Sequence, residues 1–117
     1  MDLASWRSQL WKGAAELAVL AALEKKERYG LEILEAAGKA GLEISEGTIY
    51  PLLNRLQRDG KVTSKWVEEP GASHPRKYYL LTEDGTRFLA QMKEEWTRFA
   101  TGLDSLLREG DPKGGTP

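Results

Sequence analysis

The chain is predicted to fold as a mainly α-helical domain with a small two-stranded β-hairpin in front of a long final helix. Helical spacing of apolar residues covers most of residues 3–58 and returns from residue 82 to residue 107. Between these regions, residues 62–68 and 76–82 are rich in β-branched and aromatic side chains, and a connector with Pro-Gly and a second proline joins them. The 117 residues suffice for a single hydrophobic core, so we expect one domain.

Composition and charge exclude several classes of protein. The chain has no cysteine, so disulfides and thiolate metal sites are excluded. Its longest apolar run, residues 17–23, is too short for a membrane span, and no signal peptide is recognisable, which predicts a cytoplasmic protein. The net charge is −1, but residues 45–81 hold six basic and four acidic side chains, whereas both flanking regions have an acidic excess. The middle third is therefore the part suited to a polyanion.

The first 44 residues predict three helices. Residues 1–12 place Leu3, Trp6 and Leu10 on one side of a short amphipathic helix. Residues 13–26 are rich in alanine and leucine and predict a second helix, buried on most sides. Residues 28–30 interrupt the pattern, and a third helix follows from residue 31 to residue 38. Residues 42–44 alternate in polarity, which is compatible with a very short strand.

The next helix, residues 45–59, has two different faces. Its apolar stripe consists of Ile49, Leu52, Leu53 and Leu56. Ser45 suits the N-cap, where its hydroxyl would accept from the amide of residue 47 or 48, and Gly60 suits the position after the C-cap. The opposite face carries small, hydrogen-bonding and cationic side chains: Gly47, Thr48, Pro51, Asn54, Arg55 and Arg58.

Pro51 leaves two starts open for this helix. If the helix begins at Glu46, the proline ring presses on the carbonyl group of Gly47 and one hydrogen bond is lost, although a glycine there would ease the distortion. If it begins at Thr48, Pro51 lies in the first turn, where proline is tolerated.

The final helix is predicted to begin after Thr82, a plausible N-cap, and to carry a long apolar seam. A seam of this length needs a partner helix. We expect residues 110–117, which lack apolar side chains, to be disordered. The seam residues step by four and three, and two earlier apolar residues extend them: Phe88, Leu89, Met92, Trp96, Phe99, Leu103 and Leu106.

The helices 13–26, 31–38 and 45–59, the last with a polar outer face, are followed by a two-stranded hairpin. This is the order of a winged helix-turn-helix domain, in which the hairpin is the wing. Four motifs also occur in order: Tyr29-Gly30, Thr48-x-Tyr50-Pro51, Arg55-Leu56-x-x-x-Gly60 and Tyr78-Tyr79-x-Leu81-Thr82-x-x-Gly85. Together, over roughly residues 10–107, they resemble the PadR family of bacterial transcriptional regulators in its short form, which has one C-terminal helix.

That resemblance implies a homodimer in which residues 1–81 form the winged-helix DNA-binding domain and residues 82–109 the dimerisation helix. Two copies of the helix 45–59 would enter successive major grooves of a pseudo-palindromic operator, and each wing would reach the DNA backbone or the minor groove. Known members are mostly repressors, and some bind flat aromatic compounds between their subunits. The implied interface residues are Leu3, Trp6, Leu10, Phe88, Leu89, Met92, Trp96, Phe99, Leu103 and Leu106.

The residues predicted to touch DNA lie on the helix 45–59, on the wing and at Tyr29. Arg55 and Arg58 suit guanine edges or phosphates, and Asn54 suits adenine. Tyr50 either seals its helix against neighbouring elements or donates its hydroxyl to a phosphate, and we favour the donor. The complete set is Tyr29, Ser45, Gly47, Thr48, Tyr50, Pro51, Asn54, Arg55, Arg58, Lys65, His74, Arg76 and Lys77.

The tryptophans have different expected roles. Trp96 either packs in the dimer interface, which we favour, or forms a platform for a small aromatic effector together with Trp6, Met92 and Phe99. Trp66, on the hairpin, is expected to pack under the wing.

No constellation of residues predicts an enzyme, a metal site or a cofactor. No serine, cysteine or second histidine is placed to complete a nucleophilic site with His74, the single histidine, and His74 cannot form a metal site without further nitrogen or sulfur ligands. The alternative to a DNA-binding regulator is a winged-helix protein-interaction module without DNA binding. The net charge of −1 and the two basic residues on the helix 45–59 favour that alternative.

Overall fold

The computed structural model describes residues 2–110, which form four helices and a small sheet. Their arrangement confirms the predicted mainly α-helical fold with a hairpin in front of a long final helix. The elements are α1 (Leu3–Ala22), β1 (Arg28–Tyr29), α2 (Gly30–Lys39), α3 (Glu46–Arg58), β2 (Val62–Val67), β3 (Arg76–Leu81) and α4 (Glu83–Glu109).

The N-terminal region forms one continuous helix of 20 residues, so the prediction of two separate helices there was wrong. The helix begins at a cap in which the Asp2 carboxylate accepts a hydrogen bond of 2.8 Å from the Ser5 amide. Gly13, at the expected break, costs a helix only about 1 kcal/mol relative to alanine. The strong helix formers that follow it outweigh this cost, so the helix continues to Ala22.

The sheet has three antiparallel strands in the order β1-β3-β2, one more than predicted. The added strand, β1, pairs Arg28 with Tyr79 and Tyr29 with Tyr78. A strand of two residues is too short to show an alternating pattern of polar and apolar side chains, so the sequence did not predict it. Residues 42–44 are not a strand; the Leu42 amide instead donates to the Ala37 carbonyl oxygen at 2.9 Å and closes the end of α2.

The core lies where α1, α2, α3 and the sheet meet the start of α4. The predicted stripe on α3 is confirmed, since all four of its residues are buried. Each such side chain contributes about 1.5–3 kcal/mol by leaving water, which fixes the rotation of α3 about its axis. The largest fully buried side chains are Leu20, Ile33, Ile49, Leu53, Leu56, Leu89, Val19 and Val62.

The turn after α3 is joined directly to the start of α4. Gly60 has a φ of 77°, which allows the Lys61 amide to donate to the Leu56 carbonyl oxygen at 2.9 Å. Thr82 is the N-cap of α4 and accepts from the Gly85 amide at 2.9 Å, as predicted, while its own hydroxyl donates to the Gly60 carbonyl oxygen at 2.7 Å. One threonine therefore fixes α4 relative to α3 and the wing.

The helix α4 is 27 residues long, and its first part packs against the core. Leu89 is buried in the core, and Phe88 and Met92 pack against the core with part of their surface. The seam beyond them, from Trp96 to Leu106, is exposed. Gly110 caps the helix, and the rest of the tail that was predicted to be disordered lies outside the described residues. Among residues 2–110, no helix combines the length and the apolar content needed to cross a bilayer.

Candidate nucleic-acid interface

The polar face of α3 lies on the surface of the chain. Because the apolar stripe faces inward, the residues between its members point outward. Thr48 is half-buried, but the other side chains predicted for this face are exposed. They are Gly47, Pro51, Asn54, Arg55 and Arg58, and the neighbouring Tyr50 is exposed as well.

The structure decides between the two starts of α3, because the helix begins at Glu46 and Pro51 lies in its interior. Ser45 is the N-cap, as predicted, but its hydroxyl does not accept a hydrogen bond from a backbone amide. It donates instead to the Thr48 hydroxyl at 3.2 Å. The first-turn amides of a helix have no acceptor within the helix, so this end presents donors and two hydroxyl groups to an incoming anion.

Tyr50 lies against the start of α2. A Cβ atom built on Gly30 would be 2.6 Å from the Tyr50 Cε1 atom, so the Tyr29-Gly30 motif leaves room for this ring. Burial raises the pKa of the Tyr50 hydroxyl above its ordinary value of 10.0. The ring is still 39% exposed. The structure therefore supports the sealing role, and the predicted contact with a phosphate stays a prediction.

The basic residues of α3 differ in their surroundings. The Arg55 guanidinium forms an ion pair of 2.8 Å with Glu16 of α1, although half of its side chain remains exposed. Within residues 2–110, Arg58 has no ion-pair partner, and Asn54 makes no side-chain hydrogen bond. Two of the three predicted base-reading residues are thus free, and the third is engaged by an acidic side chain of the same chain.

Ion pairs and aromatic contacts hold the wing together on one face of the sheet. Arg76 contacts Glu69 at 3.1 Å and lies 4.6 Å above the centre of the Tyr29 ring. The Tyr29 ring in turn meets the Tyr78 ring edge-on, with 5.3 Å between their centres. Lys65, on the same face, contacts Glu27 at 2.9 Å. Tyr29, Arg76 and Lys65 therefore stabilise the wing through contacts within the chain. The contacts of these three residues with DNA stay predictions.

The other face of the wing carries Trp66 and Lys77, which are directly paired across β2 and β3. Trp66 is 69% exposed, so the expectation that it packs under the wing was wrong. Alternation along β2 does place it on the same face as the buried Val62 and the half-buried Ser64, but it lies beyond the edge of the core. At the tip of the hairpin, the exposed His74 shares a hydrogen bond of 2.9 Å with the Ser73 hydroxyl.

A second surface feature is an open groove of about 830 Å³ between α1 and α4. The structure brings Leu10 of α1 together there with Met92, Trp96 and Phe99 of α4, whereas Trp6 does not line the groove. The ring centres of Trp96 and Phe99 are 5.8 Å apart. Glu94 and Glu95 give the groove an acidic rim. Three of the four residues predicted for an aromatic ligand therefore share one cavity.

The order of helices, the sheet and the exposed polar face of α3 define a winged helix-turn-helix protein with an additional long C-terminal helix. The family model described as the transcriptional regulator PadR-like family matches residues 19–91. The chain therefore belongs to the PadR-like family of transcriptional regulators, as the resemblance of its four motifs predicted.

Solved structures and a curated relative agree with this assignment. The chain is similar to a PadR family transcriptional regulator from Eggerthella lenta, with 32% identity, a TM-score of 0.80, and coverage of 93% of this chain and 94% of that chain. It is also similar to a PadR-like transcriptional regulator from Bacillus cereus, with 33% identity, a TM-score of 0.77, and coverage of 86% and 97%. A transcriptional regulator from Mycobacterium tuberculosis is 28% identical over 98 residues, which cover 84% of this chain and 83% of that protein.

Proposed function

We propose that this chain is a dimeric repressor of transcription that acts in the cytoplasm and binds a pseudo-palindromic operator through residues 45–59 and the wing. The observation that carries the proposal is the division of α3 into a buried apolar stripe and an exposed polar face. An exposed helix face with Asn54 and Arg58 free to form hydrogen bonds is suited to base edges in a major groove. Ser45 and Thr48, at the N-terminal end of the same helix, are suited to a backbone phosphate.

The exposed seam on α4 supports the dimer. Trp96, Phe99 and Leu103 are each between two fifths and three fifths exposed, which is unusual for large apolar side chains that recur along one helix. A second copy of α4 would remove them from water, and Leu3, Trp6 and Leu10 of α1 are exposed and available to extend the contact. A two-fold dimer of this kind presents two copies of α3 to one duplex.

The groove between α1 and α4 supports a small aromatic effector as the signal for release. Its wall of Met92, Trp96 and Phe99 suits a flat ring, and its acidic rim favours a positively charged one. An effector in this groove would contact α1 and α4 together. Its binding would therefore change the distance between the two DNA-binding units of the dimer.

The rival function is a winged-helix module that binds a protein and no DNA. The net charge of −1 and the ion pair that engages Arg55 favour it. It predicts no affinity for duplex DNA at any salt concentration.

The test is binding to fragments of the DNA upstream of the protein's own gene, at two salt concentrations, with excess unrelated duplex as competitor. We expect tight binding that survives the competitor and weakens as salt rises, because phosphate contacts release counterions. Absence of binding at low salt would support the rival function instead.

A further inference from the structure

Trp66 is the most exposed large apolar side chain among the described residues, and neither the core nor the seam accounts for it. Tryptophan buries a large apolar area when it is covered, so leaving it in water at 69% exposure forgoes a sizeable stabilisation. It also lies near the outer end of β2, and it belongs neither to the seam of α4 nor to the lining of the groove between α1 and α4. A second copy packed on the seam therefore does not explain it.

Lys77, which is paired with Trp66 across the two strands, differs from the other basic residues of the wing in having no ion-pair partner among the described residues. Of the three basic side chains on its strands, Lys65 and Arg76 are paired with Glu27 and Glu69. Lys77 has no ion-pair partner within residues 2–110. Its ammonium group lies 5.9 Å from the centre of the Trp66 ring and 5.5 Å from the centre of the Tyr79 ring. The free cation of the wing strands is thus held over aromatic rings, one of them exposed.

Trp66 and Lys77 also continue the surface that starts at α3. Strand alternation places them on the same face as Ser64, whose hydroxyl accepts a hydrogen bond of 2.9 Å from Gln57 of α3. This face of the sheet therefore faces α3, and the paired residues 66 and 77 lie two positions farther out along the hairpin. The pair therefore extends along the hairpin from the edge of α3 that Gln57 occupies.

We propose that Trp66 and Lys77 act as one contact to the sugar-phosphate backbone of duplex DNA, in which the Lys77 ammonium binds a phosphate and the Trp66 indole covers the adjacent deoxyribose. The inference rests on the proposed DNA-binding function and adds a residue and a kind of contact to it. The backbone of DNA alternates anionic phosphates with apolar sugar faces, which matches a free cation beside an uncovered aromatic ring. Such a contact positions the protein without reading bases.

The test compares the variants W66A, W66F and K77A with the wild type on two duplexes, one containing the operator and one unrelated in sequence. We expect W66A and K77A each to weaken binding to both duplexes by roughly five- to twentyfold, with the ratio between the duplexes unchanged, and W66F to retain most of the affinity. The two losses should not add in the double variant, because the side chains act together. T63A is the matched control, since Thr63 is exposed on the same strand but lies on the face opposite Trp66.

The outcomes separate this inference from the function on which it rests. If the wild type binds neither duplex, the proposed function fails. If the wild type binds and W66A binds equally well, only the present inference is overturned. A loss confined to the operator duplex would mean that Trp66 reads bases, which also contradicts a backbone contact. Should W66A fold poorly, the folded variant W66F still tests the contact, because a DNA-induced change in tryptophan fluorescence that it lacks must come from Trp66.

Discussion

Arg55 of α3 and Glu16 of α1 form an ion pair with 2.8 Å between the guanidinium nitrogen and the carboxylate oxygen. This contact joins the face proposed to enter DNA to a helix whose residues Gly13 and Leu17 line the groove between α1 and α4. An ion pair this exposed contributes only about 0–1 kcal/mol, so it can be exchanged for a contact with DNA at little cost. Through α1, the ion pair connects the proposed effector groove to the face proposed to bind DNA.

The first prediction concerns this exchange. Because Glu16 competes with DNA for Arg55, Glu16→Gln should tighten operator binding by about two- to fivefold, as expected for an exposed pair. Arg55→Ala should weaken binding and leave the dimer intact. In the Arg55→Ala background, adding Glu16→Gln should have little further effect. Weaker binding by Glu16→Gln with an unchanged fold would show that Glu16 holds Arg55 in its DNA-contact position. Titration of labelled operator measures all three variants.

The second prediction concerns Gly85, the last residue of the Thr82-x-x-Gly85 motif. A Cβ atom here would lie 2.9 Å from the carbonyl carbon of Lys61 and still closer to its oxygen. The obstacle is backbone that Thr82 holds in place, so Gly85→Ala should destabilise the fold by about 1–3 kcal/mol. Gly38→Ala is the control, because its Cβ meets nothing within 4 Å and should stabilise α2 by roughly 0.5 kcal/mol. Denaturant unfolding compares them, and equal effects would contradict the predicted clash.

The sequence predicted those features that depend on residues close together in the chain, and it did not predict contacts between residues far apart in the chain. The stripe on α3 and the caps at Ser45 and Thr82 follow from residues within two helical turns, and these positions were identified correctly. The ion pair between Glu16 and Arg55 joins residues 39 apart, and no local pattern records it. The exposure of Trp66 was missed because alternation gives the face of a strand but not where the core beneath that face ends.

The third prediction is a pH dependence centred on the wing. The Tyr78 hydroxyl donates a hydrogen bond to the Glu69 carboxylate, which raises the pKa of Tyr78 from 10.0 to about 12. The folded state therefore favours the neutral phenol. Its contribution to stability is complete below pH 10, the ordinary pKa, and is lost as the pH rises through about 12.

Comparison with Tyr78→Phe isolates this contribution from other groups that titrate at high pH. The wild type should be more stable than the variant at neutral pH, and the difference should shrink between pH 10 and about 12. Thermal unfolding across that range measures the difference, and the absorbance of tyrosinate reports the ionisation. A difference that stays constant with pH would show that the hydrogen bond does not control the titration of Tyr78.

The fourth prediction tests the dimer through Trp96, which lies on the exposed seam and in the groove. Because the single chain leaves Trp96 at 45% exposure, Trp96→Asp should not disturb the fold of one subunit. In a dimer it would bury an unpaired charge, so the dissociation constant of the dimer should rise at least about a hundredfold.

Thr97→Asp is the control. It places the same charge on the neighbouring residue, which does not line the groove, and should leave the dimer unchanged. Sedimentation velocity distinguishes monomer from dimer, and operator binding by the same samples shows whether the dimer is required. If Trp96→Asp stayed dimeric, the subunits would have to associate through a surface other than this seam.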